Sequence, residues 1–142
     1  MTLLDHGAKT THVAATGSTC LSVACGNAAM TSGAIKALLD GGVDVNRRLI
    51  QKKKKWHAIS RLFESMVKRG VATSSFALDS AHHRGATALH KAAQSGNAEF
   101  LELLLSSGAG PSLETRNRMG CTPLDLARLF GPFPEAESLL VQ

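Results

Sequence analysis

Apolar residues recur at helical spacing in several parts of the chain, which predicts amphipathic or buried helices. Five of the six residues from Phe100 to Leu105 are apolar, a density too high for a helix lying alone on a surface. Apolar residues at intervals of three or four predict one amphipathic helix from about Trp56 to Arg69, ended by Gly70. A shorter apolar set between Ile35 and Leu39 predicts a third helix. Most of these helices must therefore be covered by neighbouring elements.

A short signature occurs three times: a threonine, a leucine two residues later and an alanine five residues after the threonine. The threonines are Thr19, Thr87 and Thr122, and each has a glycine two residues before it. They are spaced at roughly one and two lengths of a repeat of about 33 residues. The fullest copy reads Thr87-Ala88-Leu89-His90-Lys91-Ala92-Ala93 and is followed by Gly96.

This signature, with a glycine at the end of each helix pair, resembles the ankyrin repeat. The resemblance implies an all-α solenoid of stacked helix-turn-helix units joined by short hairpin or turn fingers, a family that binds macromolecules rather than performing chemistry. In the family, Thr87 would cap the first helix and His90 would tie its ring to the backbone of a neighbouring loop. Scarce aromatic residues and plentiful Ala, Leu and Gly suit such tightly stacked short helices.

We expect one ankyrin-like domain over residues 1–142. Its units would be a partial repeat over 1–16, a repeat over 17–49, a degenerate repeat with a basic run over 50–84, the best-matching repeat over 85–119 and a final partial repeat over 120–142. The double interval between Thr19 and Thr87 predicts the unit at 50–84. The characteristic residues of the repeat are displaced in this segment, but its length is that of one repeat. A distorted repeat is therefore favoured over an inserted domain.

The resemblance implies a protein partner, bound through the finger tips and the exposed face of the first helices. The residues at these positions are His83, Arg84, Lys91, Gln94, Arg116, Arg118, Met119 and Arg128. Because this set is basic, and arginine offers planar two-point contacts to carboxylates, the partner would carry an acidic surface. The alternative is that these side chains are merely solvated loop residues.

A basic run gives the chain its net charge of +5. It comprises Arg47, Arg48, Lys52, Lys53, Lys54 and Lys55, with Arg61 shortly after and no acidic residue between Val45 and Phe63. The run is an alternative functional site, for nuclear import or for binding a polyanion. A solvated face of a degenerate repeat explains it equally well. Nucleic acid is the less expected partner, because the lysines are accompanied by neither a recognition helix nor stacking aromatics.

The sequence gives little support to catalysis, so we predict no enzyme, cofactor or metal site. The histidines lack a glutamate at metalloprotease spacing, and the adjacent pair His82-His83 reads as part of a surface turn. The three cysteines, Cys20, Cys25 and Cys121, have no metal-ligand spacing and read as reduced thiols. Neither a membrane span nor a secretory signal is visible, so we expect an intracellular protein, in the cytoplasm, the nucleus or both.

Overall fold

The computed structural model describes residues 9–141, and within them the backbone forms eight α-helices and one short 3-10 helix. The remaining regular structure there is an isolated antiparallel bridge between Val13 and Thr19. The helices are α1 (Cys20–Cys25), α2 (Ser32–Asp40), α3 (Lys54–Lys68), α4 (Ser75–His82), α5 (Ala88–Ser95), α6 (Ala98–Ser106), α7 (Pro123–Phe130) and α8 (Pro134–Leu140), with the 3-10 turn at Gly110–Leu113. The expected all-α class is confirmed. Half of the expected partial repeat at 1–16 falls outside the described residues.

Each copy of the signature begins a helix because its threonine is the N-cap. The Thr19 hydroxyl accepts a hydrogen bond from the Ser22 amide at 3.1 Å, and the Ser22 hydroxyl accepts one from the Thr19 amide at 2.9 Å. Thr122 and Asp125 make the same reciprocal pair at 3.3 and 2.9 Å. These bonds satisfy amides that have no partner inside the helix. The inner helices α1, α5 and α7 therefore start at equivalent points of the sequence.

Six of the helices form a stack of three pairs. Inner helix α5 packs between α1 and α7, and outer helix α6 packs between α2 and α8. Leu21, Leu89 and Leu124 are each the second residue of an inner helix; the first two are buried in one apolar core, and the half-buried Leu124 packs against it. Alanines at the helix contacts are fully buried, and their small side chains allow short helices to approach closely. The solenoid arrangement expected from the repeats is present.

A short finger precedes each inner helix, and the three fingers share one hydrogen-bond pattern. In the first, the Ala14 amide donates to Ser18 and the Gly17 amide donates back to Ala14, both at 2.9 Å. In the last, the Asn117 amide donates to Cys121 at 2.9 Å and the Gly120 amide to Asn117 at 3.0 Å. In each finger the glycine has a positive φ, 87° and 80°, which a residue with a side chain rarely adopts. Two residues form the tip of each of these fingers.

The middle finger closes in the same way although residues 50–84 interrupt its tip. The Leu49 amide donates to the Ala86 carbonyl at 2.8 Å, the Gly85 amide donates to Leu49 at 2.9 Å, and Gly85 has a φ of 73°. Leu49 therefore stands where Ala14 and Asn117 stand in the other fingers. The first and third expected repeats are neighbours in the stack, and α1 contacts α5 directly.

Residues 50–84 form a helical hairpin in which α3 packs along α4. The rings of Phe63 and Phe76 meet edge to face, with their centroids 5.6 Å apart. The expected single helix from about Trp56 to Arg69 is present as α3. The segment was expected as a distorted layer of the stack, but its closest packing is within the hairpin. We therefore propose that it is an insertion into a fingertip rather than a degenerate repeat.

His90 joins two neighbouring units through a buried polar network. Its Nδ1 accepts a hydrogen bond from the Thr87 amide at 3.0 Å, and its Nε2 donates to the Cys121 carbonyl of the next finger at 3.0 Å. This is the loop contact that the resemblance implied. The ring is fully buried, and burial lowers the pKa of His90 to about 4. The neutral imidazole is therefore the form that fits the native network.

We predict that Leu104→Ala lowers the free energy of unfolding by about 2 to 5 kcal/mol. Leu104 is fully buried in the core between the helix pairs, so the truncation leaves a cavity. Denaturant titration followed by circular dichroism measures the change. A loss below about 0.5 kcal/mol would be typical of a surface position and would contradict the packing.

We also predict that stability falls as the pH is lowered from the ordinary histidine pKa of 6.5 to about 4. In this window the unfolded chain binds a proton that the native His90 does not, at a cost on the order of 3 kcal/mol. Unfolding midpoints across the window measure the effect, and His90→Gln should make the profile less steep, with His82 and His83 supplying the remaining slope. A wild-type profile that is level in this window, or an equally steep one in the variant, would refute the role of His90.

Candidate protein-binding groove

A groove of about 480 Å³ runs across the inner helices. It is bounded by α1, α5 and the end of α7 on one side and by α4 of the hairpin on the other. The residues that line this inner groove are Ser18, Ser22, Val23, Gly26, Ser75, Asp79, His83, Lys91, Gln94, Ser95 and Phe130. The hairpin thus narrows the surface that the first helices of the stack would otherwise leave open.

One carboxylate of α4 fastens the hairpin to the inner helix α5. Asp79 Oδ1 accepts hydrogen bonds from Lys91 Nζ at 3.0 Å and from Gln94 Nε2 at 2.7 Å. Burial alone would raise the pKa of Asp79, but the Lys91 ammonium and these hydrogen bonds hold it below its ordinary value. The carboxylate is therefore the stable form, and both of its donors are residues that the sequence had assigned to a partner.

The two adjacent histidines attach the end of α4 to the fingers on either side. His83 Nε2 lies 3.0 Å from the Thr16 carbonyl, and Asn117 Nδ2 donates to the His82 carbonyl at 3.2 Å. The His82 ring also meets Phe130 edge to face, with centroids 6.2 Å apart. Burial lowers the pKa of both histidines below the ordinary value. The interpretation of this pair as surface turn residues is wrong, because His82 is buried at the end of α4 and His83 is half-buried against the first finger.

Arg84 and Lys91 are nearly buried, so the expectation that they are exposed contact residues is wrong. Arg84 retains 7% of its accessible surface, and its Nη1 pairs with Glu64 Oε1 of α3 at 3.1 Å. Lys91 retains 8% and pairs with Asp79. The expected position of each residue within its repeat was correct, since Arg84 precedes the finger glycine and Lys91 lies on the inner helix. The α3–α4 hairpin occupies the space that faces them.

The other candidate residues lie nearer to solvent. Arg116 and Arg118 are exposed on the last finger beside the half-buried Met119, and Arg128 is exposed on α7. Arg116 donates to the Gly120 carbonyl at 2.7 Å, and Arg128 Nε lies 3.5 Å from Glu137. The predicted partner-binding residues therefore lie on separate surfaces. His83, Lys91 and Gln94 line the inner groove, whereas Arg116, Arg118 and Arg128 lie on the last finger and on α7.

The basic run lies on the middle finger and at the start of α3. Lys52, Lys53, Lys54 and Lys55 are all exposed, and none of them has an ion-pair partner among residues 9–141. Arg48 differs, because its guanidinium donates to the carbonyls of Gly85 at 3.1 Å and Arg116 at 2.7 Å. Arg48 thus links the middle and last fingers.

Sequence reasoning missed Val23 as a contact residue. Its side chain is 58% exposed in the inner groove, although it belongs to the first copy of the signature. Val23 stands four residues after Thr19, as Lys91 does after Thr87, so the register that selected Lys91 contained the signal. Leu129 on α7 is a second exposed apolar side chain, at 50%. The inner helices thus carry apolar anchors as well as charge.

The cysteine side chains are free thiols in the described structure. Cys25 is fully buried, and burial raises its thiol pKa to about 12, so the nucleophilic thiolate is strongly disfavoured there. Burial also raises the pKa of Cys121. No helix within residues 9–141 combines the length and the apolar character needed to cross a membrane.

Comparison with known proteins agrees with this architecture. A family model described as ankyrin repeats in many copies matches residues 72–127, which include α4, α5, α6 and most of α7. No curated protein matches the chain significantly. The matched segment contains the fullest copy of the signature and the contact between His90 and the next finger. Residues 72–127 are therefore similar to ankyrin repeats, and the threonine-capped inner helices and stacked helix pairs of the described structure agree with that likeness.

Proposed function

We propose that this chain is a non-catalytic adaptor that holds a segment of a protein partner in the inner groove. Ankyrin repeats are generally protein-protein interaction modules, which gives the class of function. The observation that carries the proposal is the exposed Val23 in the inner groove, whose lining also includes the polar residues Gln94 and Ser95. Apolar anchors surrounded by polar groups are typical of the centres of protein interfaces.

The shape of the groove limits what the partner can be. Asp79 and His83 of α4 stand along one side, and α1 and α5 along the other. The space of about 480 Å³ suits the side chains of one extended segment or one helix rather than a broad flat surface. Binding would seat an apolar partner side chain against Val23, and the polar groups of Gln94 and Ser95 would fix the direction of the segment.

The charged surroundings support an acidic partner. Arg116 and Arg118 on the last finger and Arg128 on α7 are exposed, and Met119 adds an adaptable apolar surface beside them. Arginines at the rim of an interface attract acidic surfaces and raise the rate of association more than the affinity. Arg116 and Arg128 lie 3.8 and 3.5 Å from Asp125 and Glu137 but stay exposed. Lys91 and Arg84 contribute less to this field, because each is nearly buried and paired with a carboxylate of the same chain.

We predict that Val23→Glu weakens partner capture at least about ten-fold. The new carboxylate would have to lose its water against an apolar side chain of the partner, which is costly. The matched control is Val71→Glu, a valine that is 71% exposed beyond the end of α3 and outside the groove. Quantitative affinity purification with the wild type and both variants makes the comparison. Proteins retained equally by all three would show that the groove is not the binding surface. Unfolding curves establish that both variants are folded.

A further inference from the structure

A second cavity, which we call the finger cleft, lies where the hairpin leaves the middle finger. It has a volume of about 310 Å³ and is distinct from the inner groove, with which it shares no lining residue. Its charged and apolar walls are formed by Arg48, Leu49, Ile50, His57, Arg84 and Arg118. Residues from the middle finger, the last finger and the hairpin thus converge on one small space.

The inserted hairpin and a finger glycine together create this convergence. A side chain at Gly85 would begin 2.9 Å from Arg48 Nη2 and 3.2 Å from the Arg118 amide, so the glycine leaves room for both arginines. The Arg118 amide also donates to the Arg84 carbonyl at 2.9 Å, which fixes the last finger against the end of the hairpin. The three arginines are therefore held near one another by backbone contacts.

The charges in the cleft do not balance. Arg84 pairs with Glu64, but Arg48 donates to the neutral carbonyls of Gly85 and Arg116. Among residues 9–141, neither Arg48 nor Arg118 has an acidic partner. Two like charges at the walls of a small cavity repel each other and concentrate positive potential inside it. A bound anion would relieve that repulsion.

The lining favours a carboxylate on a peptide over a nucleic acid. Guanidinium groups bind carboxylates through two parallel hydrogen bonds, and the exposed Ile50 offers apolar contact to the stem of an acidic side chain. The cleft contains no tryptophan, tyrosine or phenylalanine on which bases could stack. Its volume accommodates one or two acidic side chains rather than a continuous strand.

From these contacts we propose that the finger cleft binds acidic side chains of an extended segment of a protein partner, with Arg48 and Arg118 as the anion-binding pair. This inference rests on the proposed function as a protein-binding module, but it uses residues outside the inner groove. Arg48, which belongs to the basic run, would then take part in binding directly. Lys52 to Lys55, which follow Gln51 of the cleft, would add attraction at longer range.

The test measures binding of a fluorescently labelled glutamate-rich peptide to the full chain by anisotropy, with the glutamine counterpart as the uncharged probe. We expect Arg118→Gln to lower the affinity about ten-fold, as loss of a charge-assisted contact does. Arg118→Lys should lower it less, because charge remains while the planar two-point contact is lost. The control is Arg69→Gln, which removes an exposed arginine just beyond the opposite end of α3.

Each other result would overturn the assignment. Equal losses in the Arg118 and Arg69 variants would indicate unspecific attraction, and a loss seen only when Lys52 to Lys55 become glutamine would place binding on the lysine run. Inorganic phosphate that competes as well as the peptide would indicate a free-anion site. A single-stranded RNA that binds more tightly, in an Arg118-dependent manner, would indicate nucleic acid. Arg118→Gln should lower the affinity for the peptide whether or not Val23→Glu weakens partner capture, which separates this proposal from that of the inner groove.

Discussion

The hydrogen bond from the Leu49 amide to the Ala86 carbonyl closes a finger whose two halves are separated by the whole of residues 50–84. Because this bond and its partner from Gly85 repeat the geometry of the other two fingers, the layers on either side stack without a gap. The core can then run from α1 through α5 to α7, with alanines at the close contacts. The stack places one requirement on residues 50–84, namely that the two ends of this segment lie side by side.

The hairpin emerges at a fingertip, and its position determines which surfaces are left for partners. Asp79 and His83 of α4 contact α5 and the first finger, so α4 becomes a wall of the inner groove. Its partner helix α3 supplies Glu64 to the nearly buried Arg84. A buried ion pair is weak evidence of stabilisation, because desolvation offsets most of its attraction. Its value here lies in fixing the orientation of the hairpin, which in turn shapes both the groove and the finger cleft.

The sequence predicted the parts of the fold that depend on local chemistry. The threonine caps, the helix-ending glycines and the bridging role of His90 are set by residues within one unit or by its neighbour at a fixed spacing. The amphipathic period of α3 likewise predicted one long helix. Residues 50–84 were harder to interpret, because their number is close to the length of a repeat of about 33 residues. Counting along the chain therefore does not distinguish an insertion from a layer.

The sequence predicted where the candidate residues lie within the repeat, but it did not predict which of them are exposed. Arg84 and Lys91 lie at the expected points of the repeat, yet no local pattern shows that Glu64 and Asp79 reach them from a hairpin many residues earlier. Val23 was overlooked for a related reason, because a valine inside a core signature reads as buried. The finger cleft depends on three segments meeting in space. Such long-range contacts follow from how the hairpin docks, which the spacing of residues does not specify.

We infer that the two layers joined by the middle finger stack directly, with the hairpin outside them. Deleting residues 51–83 would join Ile50 to Arg84 and leave a two-residue tip like those of the other fingers. The decisive measurement is the thermal unfolding of this variant, followed by circular dichroism. We expect a helical spectrum and a single cooperative transition. A variant that unfolds without cooperativity, or that has lost its helical signal, would show instead that residues 50–84 are an essential layer of the stack.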